Sequence, residues 1–131
     1  MCRVAGKALY AHSLLHSKTV SILSMHDGAK DAEGNKYFPA EFFLGYNASK
    51  FKFLKDAVDA GSKSKVVILS HINLLVIGWL IKQISPSTQV ILLANGIEIW
   101  YPLGKRKMMM LHTCDKIVSV SNYTKETIKK V

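Results

Sequence analysis

A chain of 131 residues, 49% of them apolar and 21% charged, has the composition of a single folded domain, residues 1–131, and excludes wholesale disorder. Lysine and arginine outnumber acids by 18 to 9, a net charge of +9 that attracts anions in general: phosphates, acidic lipid headgroups or nucleic acid. Cys2 and Cys114 are too few for a disulfide scaffold and lack metal-ligand spacing, so they read as free thiols of a reducing compartment.

The chain opens on an amphipathic helix. Val4, Ala5, Ala8, Leu9, His12 and Leu15 share one face, with Arg3, Lys7 and Ser13 opposite. No capping residue precedes it, so the start reads as cut, and residues 1–8 lack the apolar core of a signal peptide. Residues 19–25 read as a strand, followed by a polar loop with Asp27-Gly28 and Gly34-Asn35. Phe42-Phe43-Leu44 suits a short strand. Ser49 then caps a helix that buries Phe51, Leu54 and Val58 and stops at Gly61, and residues 62–65 form a solvated linker.

From here the pattern sharpens. Val66-Val67-Ile68-Leu69 has the β-branched continuity of a strand covered on both faces. Asn73 caps a helix over 74–84, which Ser85-Pro86 ends. The apolar run 66–81 is shorter than the roughly 20 residues of a membrane span and is broken by Ser70, His71 and Asn73; it reads as strand, then helix. That helix is apolar nearly all round, as suits a core element, or one that meets a partner domain. Residues 90–94 form a second buried strand closed by Asn95-Gly96. Residues 103–112 are helical, 116–120 form a third buried strand, and Ser121 or Asn122 caps the last helix. Short apolar strands alternating with helices predict an α/β fold, a doubly wound, Rossmann-like parallel sheet with helices on both faces.

In such sheets ligands sit beyond the carboxyl ends of the strands. Those ends carry His71, the turn Asn95-Gly96-Ile97-Glu98, and Ser121. Each has a plainer role: His71 as a capping residue, Asn95-Gly96 as a tight turn, Glu98 as a solvated carboxylate and Ser121 as an N-cap. Lys105, Arg106 and Lys107 place three cations in a first helical turn, against the macrodipole. A bound anion, from an acceptor or a membrane, relieves that conflict; a solvated basic loop is the alternative. No phosphate-binding loop, zinc spacing, nucleophile elbow or dinucleotide fingerprint is present.

Residues 66–131 resemble the group 1 (family four) glycosyltransferases of GT-B fold. Val66-Val67-Ile68-Leu69-Ser70-His71 is similar to the family's strand and histidine-containing turn. Val90-Ile91-Leu92-Leu93-Ala94-Asn95-Gly96-Ile97-Glu98-Ile99-Trp100 resembles its strand and His-Gly-Ile-Glu turn before an aromatic. Cys114-Asp115-Lys116-Ile117-Val118-Ser119-Val120-Ser121-Asn122-Tyr123-Thr124-Lys125 is similar to its Asp-x-Ile-x-x-Val-Ser-x-Tyr-Thr element. The resemblance implies the acceptor-side, N-terminal domain of a retaining enzyme that transfers sugar from a nucleotide-diphosphate sugar. This domain would bind no cofactor or metal itself. The leaving diphosphate would be stabilised electrostatically in a C-terminal donor domain. It further implies a sugar or lipid-linked acceptor, and a cytoplasmic enzyme with peripheral contact at the inner membrane face.

Asn95 stands where the family has histidine, so a titrating role is not expected there. The family's first strand and its donor domain are expected to lie outside this chain, which alone is expected to be inactive; its catalytic residues are not identified. Loss of a mid-sheet strand predicts that the sheet closes by pairing its neighbours or borrows a strand in a homodimer. The competing classes are a flavodoxin-like or receiver-like binding module and a basic nucleic-acid-binding domain. Asp27 alone is poor support for a receiver, and scattered lysines with most aromatics in apolar runs argue against specific nucleic-acid binding.

Overall fold

The computed structural model describes residues 2–16, 19–28, 43–94, 102–119 and 121–130. The features expected at Gly34-Asn35, at Phe42, in the 95–100 turn with Asn95, Gly96 and Glu98, and at Val120 lie outside the described residues. The chain forms two compact units, Met1–Asp56 and Ala57–Val131.

The first unit holds helix α1 (Cys2–His16), strands β1 (Ile22–Ser24) and β2 (Phe43–Gly45), and the start of α2 (Lys50–Ser62). β1 and β2 pair in parallel, Ile22 opposite Phe43. Of the expected face of α1, the described side chains are covered only in part. Leu9 and Tyr10 are half-buried and Ser13 is buried, whereas Ala8, His12 and Leu15 are exposed. Ser13 is tolerated inside because its hydroxyl donates to the Tyr10 carbonyl at 2.7 Å.

α2 corrects the sequence in a similar way. Ser49 closes its first turn by accepting from the Phe53 N–H at 3.0 Å, but Phe51 is 90% exposed and Phe53 is the buried ring. Phe53 meets Tyr46 edge-on, centroids 5.5 Å apart, and the Tyr46 hydroxyl donates to Asp56 at 3.0 Å. Two phenylalanines two positions apart point to opposite sides of a helix, and the partner ring decides which is covered. Gly61 does not stop the helix, which continues to Ser62. A Cβ there would collide with Ile81 and crowd Val67, so a side chain at position 61 would not fit against these two residues.

That core is built on β3 (Val66–Leu69), β4 (Gln89–Ala94) and β5 (Lys116–Ser119), all parallel and ordered β3-β4-β5. Helix α3 (Leu75–Ile84) follows a 3₁₀ turn at Ile72–Leu74, and α4 (Lys105–Leu111) joins β4 to β5. α3 and α4 pack on one another, which puts both crossover helices on the same face. A final helix, α5 (Asn122–Lys129), contacts β5. Val90, Leu92 and Ala94 of β4, with Leu69, Ile72, Leu75 and Leu111, form the buried cluster. Each fully buried aliphatic side chain contributes about 1.5–3 kcal/mol.

α3 is apolar nearly all round for the reason expected of a core helix. Leu75, Ile77, Gly78 and Ile81 are buried, and a Cβ on Gly78 would lie 2.9 Å from Leu69 and 3.0 Å from Val90, so the helix rests close on the sheet. Among the described strands β4 alone is flanked on both sides. Val66 of β3 is 47% exposed and Val118 of β5 is 41% exposed. β1–β2 and β3–β4–β5 are separate sheets.

Candidate functional site

Because β3, β4 and β5 run parallel and in register, their carboxyl ends lie along one edge. β3 ends in Ser70-His71. His71 is extended (φ −152°, ψ 146°), and its Nδ1 accepts from the Asn73 N–H at 3.1 Å. The capping residue is thus His71, not Asn73, which lies within the 3₁₀ turn; α3 itself has no side-chain cap. An accepting Nδ1 puts the proton of a neutral imidazole ring on Nε2.

The Asn73 side chain, freed from capping, accepts from Lys107 Nζ at 2.9 Å. Lys107 was expected to face an anion; the fold brings it to the His71 turn from 34 residues away. Lys105 and Arg106, also exposed, begin the same helix after Gly104, which supplies no side-chain cap, and no acid stands in that first turn. The cations therefore oppose the dipole as expected. Because α4 starts at residue 105 and not 103, they occupy its first three positions.

Beyond β5, Ser121 caps α5: its Oγ accepts from the Thr124 N–H at 3.2 Å and lies 2.9 Å from the Thr124 hydroxyl. Thr124 is fully buried. The structure thus gathers His71, Lys107 and Ser121 at one end of the sheet, with Asn73 as the residue that sequence spacing did not single out for this role. Its only signal was its place two residues after His71.

The Asp115 segment behaves differently. Asp115 precedes β5 and so lies at the opposite, amino-terminal end. Its Oδ2 accepts from the Val90 N–H at 2.7 Å and from Lys82 Nζ at 2.7 Å, while its own N–H donates to the Val90 carbonyl at 2.9 Å. The Lys82 ammonium, then the Val90 N–H, hold the Asp115 carboxyl below its ordinary pKa. At the same end an open depression of about 750 Å³ is lined by Lys63, Lys65, Lys82, Thr88 and Asp115 among others. Thr88 is buried there, its hydroxyl bonded to the Ser64 carbonyl and the Ser85 hydroxyl, both at 2.9 Å. These groups satisfy one another, as structural networks do. The Asp-containing motif ties β5 to β4, and the Ser-x-x-Thr part caps α5.

No protein-family model matches the chain, and no curated protein or solved structure matches it.

Proposed function

We propose that this chain is the acceptor-binding half of a retaining glycosyltransferase, in which a doubly wound GT-B domain presents a phosphate-bearing or lipid-linked acceptor to a nucleotide-sugar donor held by a second domain. The observation that supports it is the joining of His71, Asn73 and Lys107 at the carboxyl edge of three parallel strands, with Ser121 following β5 at the same end. That edge is where ligands bind in sheets of this kind. Two of the segments that resemble the family's motifs contribute to this edge, His71 from the first and Ser121 from the third.

The chemistry assigned to each residue is modest. Lys107, Lys105 and Arg106 supply positive charge for an acceptor phosphate, Lys107 from a position fixed by Asn73. Transfer itself would be completed by groups of the donor domain, with diphosphate leaving from the anomeric carbon as the acceptor hydroxyl attacks.

Titration of the ¹⁵N-labelled chain with a short-chain polyprenyl phosphate and with nucleotide-diphosphate sugars tests this. The polyprenyl phosphate is expected to shift the amides of Ser70 to Asn73, Lys107 and Ser121, and Lys107→Ala to weaken binding about tenfold, the worth of one charge-assisted contact. Shifts confined to Lys63, Lys65 and Lys82, tight binding of the nucleotide sugar instead, or no binding would overturn it.

A further inference from the structure

Helix α1 ends in a pair of side chains that none of the preceding roles uses. His12 and His16 stand four positions apart, one turn of helix, and both are exposed. Their rings are already together, with centroids 4.3 Å apart and planes tilted by 41°. Helical spacing alone brings such residues to within about 5–6 Å at their Cβ atoms. The ring contact adds that both imidazoles lean to the same place.

Two imidazoles in this relation are the donor set of a chelate. A neutral ring offers one nitrogen lone pair, and zinc and its neighbours in the first transition row take such nitrogens at about 2.0–2.1 Å. Rings that share one ion at that distance have centroids roughly 4–5 Å apart, so the observed 4.3 Å needs little movement. The helix adds two advantages. It contains no Asp or Glu, so no carboxylate of α1 competes for the rings as an ion-pair partner. The pair also sits towards the C-terminal end, where free carbonyls and the negative pole of the dipole favour a cation. The net charge of +9 opposes cations at long range, but salt screens exposed charge beyond about 10 Å, whereas coordination acts at contact.

We infer that His12 and His16 form a two-nitrogen site for a late first-row divalent ion, Zn²⁺, Ni²⁺ or Cu²⁺, whose remaining coordination positions are filled by water. Among the described residues no group of three or more His, Cys, Asp or Glu is placed to hold a metal ion, so the site has two protein donors and not more. Imidazole selects these ions over Mg²⁺ and Ca²⁺, which prefer oxygen, and Cu²⁺ binds most tightly of the three. The bound ion ties one helical turn to the next and stabilises the end of α1 by mass action. The inference does not rest on the glycosyltransferase assignment. Both residues lie outside 66–131, and a metal site is not among what that resemblance implies.

Calorimetric titration of the untagged full chain with ZnCl₂, NiCl₂ and MgCl₂ in a non-coordinating buffer reads this directly. One Zn²⁺ or Ni²⁺ per chain is expected to bind saturably, and Mg²⁺ is not. His12→Asn and His16→Asn are each expected to weaken Zn²⁺ binding about tenfold or more, because a chelate is reduced to a single donor. Their circular dichroism should match the parent, since both side chains are exposed. Leu14→His/His16→Asn keeps the number of histidines but sets the pair two positions apart, on different faces, and is expected to bind as weakly as His16→Asn. His26→Asn, His71→Asn and His112→Asn are expected to bind as the parent does. In the ¹⁵N spectrum, substoichiometric Cu²⁺ should broaden the amides of residues 12–16 first. No saturable Zn²⁺ binding, equal binding of Mg²⁺, α1 variants that bind like the parent, or loss of binding only in the His26, His71 or His112 variants would overturn the inference. So would broadening by Cu²⁺ centred on His112 and Cys114.

Discussion

At the scale of single residues, the strongest polar commitment in the second unit is Asp115. Val90 is fully buried, so its N–H must find an acceptor inside the protein, and the Asp115 carboxylate is that acceptor. Lys82, mostly buried, adds charge to the same oxygen. Asp115→Ala would orphan the Val90 N–H and is expected to cost about 1–2 kcal/mol, the lower part of the range because the carboxylate is partly exposed. The Asp115 pKa is lowered in the fold, so its contribution is present above the ordinary carboxylate pKa and drains away as pH falls through the folded value. The stability gap between the parent and Asp115→Asn, measured by urea unfolding, is therefore expected to narrow on acidification below about pH 4. A gap independent of pH would mean that the charge contributes nothing. Neighbouring Cys114 is kept as thiol: burial first, then Asp115, pushes its pKa up to about 11. In the first unit burial, then the hydrogen bond to Asp56, pushes Tyr46 up to about 12. That neutral phenol adds stability below pH 10, lost as pH rises towards 12.

At the scale of elements, caps decide where helices begin, and they were only partly legible. Ser121 is an N-cap by residue type and by geometry, and its hydroxyl also satisfies the buried Thr124. Ser121→Ala is expected to cost about 1 kcal/mol in thermal or chemical unfolding, whereas Ser121→Asp, a competent cap, should retain most of that stability. The strands of the second unit and their parallel sense could be read from continuous apolar runs, because a four- to six-residue run leaves little choice. The buried faces of α1 and α2 could not. Periodicity constrains a helix to an apolar stripe, but α1 offers Leu14 and Leu15 as well as Leu9, and α2 offers both Phe51 and Phe53. For α2 the Tyr46 ring, which meets Phe53, settled the choice. The site was legible to the same extent: His71, Lys107 and Ser121 lie at strand ends or helix starts, where type and position inform. The bond from Lys107 to Asn73 spans 34 residues and has no local signature.

At the scale of the whole molecule, burial is divided unevenly between the two units. The second has a central strand, β4, whose Val90, Leu92 and Ala94 are at most 1% exposed, with α3 and α4 packed together beside it. The first has a two-stranded sheet of three residues per strand, and Leu44 of β2 is 53% exposed. Two short strands are marginal without further cover, whereas three strands under helices form an independently stable layer. Local opening free energies follow buried apolar contacts, so native-state hydrogen exchange should separate the units. The amides of Val90 and Leu92 are expected to open with a free energy at least about 2 kcal/mol above those of Ile22–Ser24, the worth of one buried aliphatic side chain. Gly78→Val, which drives side-chain atoms against Leu69 and Val90, should lower protection throughout β3, β4 and β5. Its effect on β1 and β2 distinguishes two folding schemes. If the units open independently, protection of Ile22–Ser24 stays at the parent level; if they open as one cooperative body, it falls with the rest.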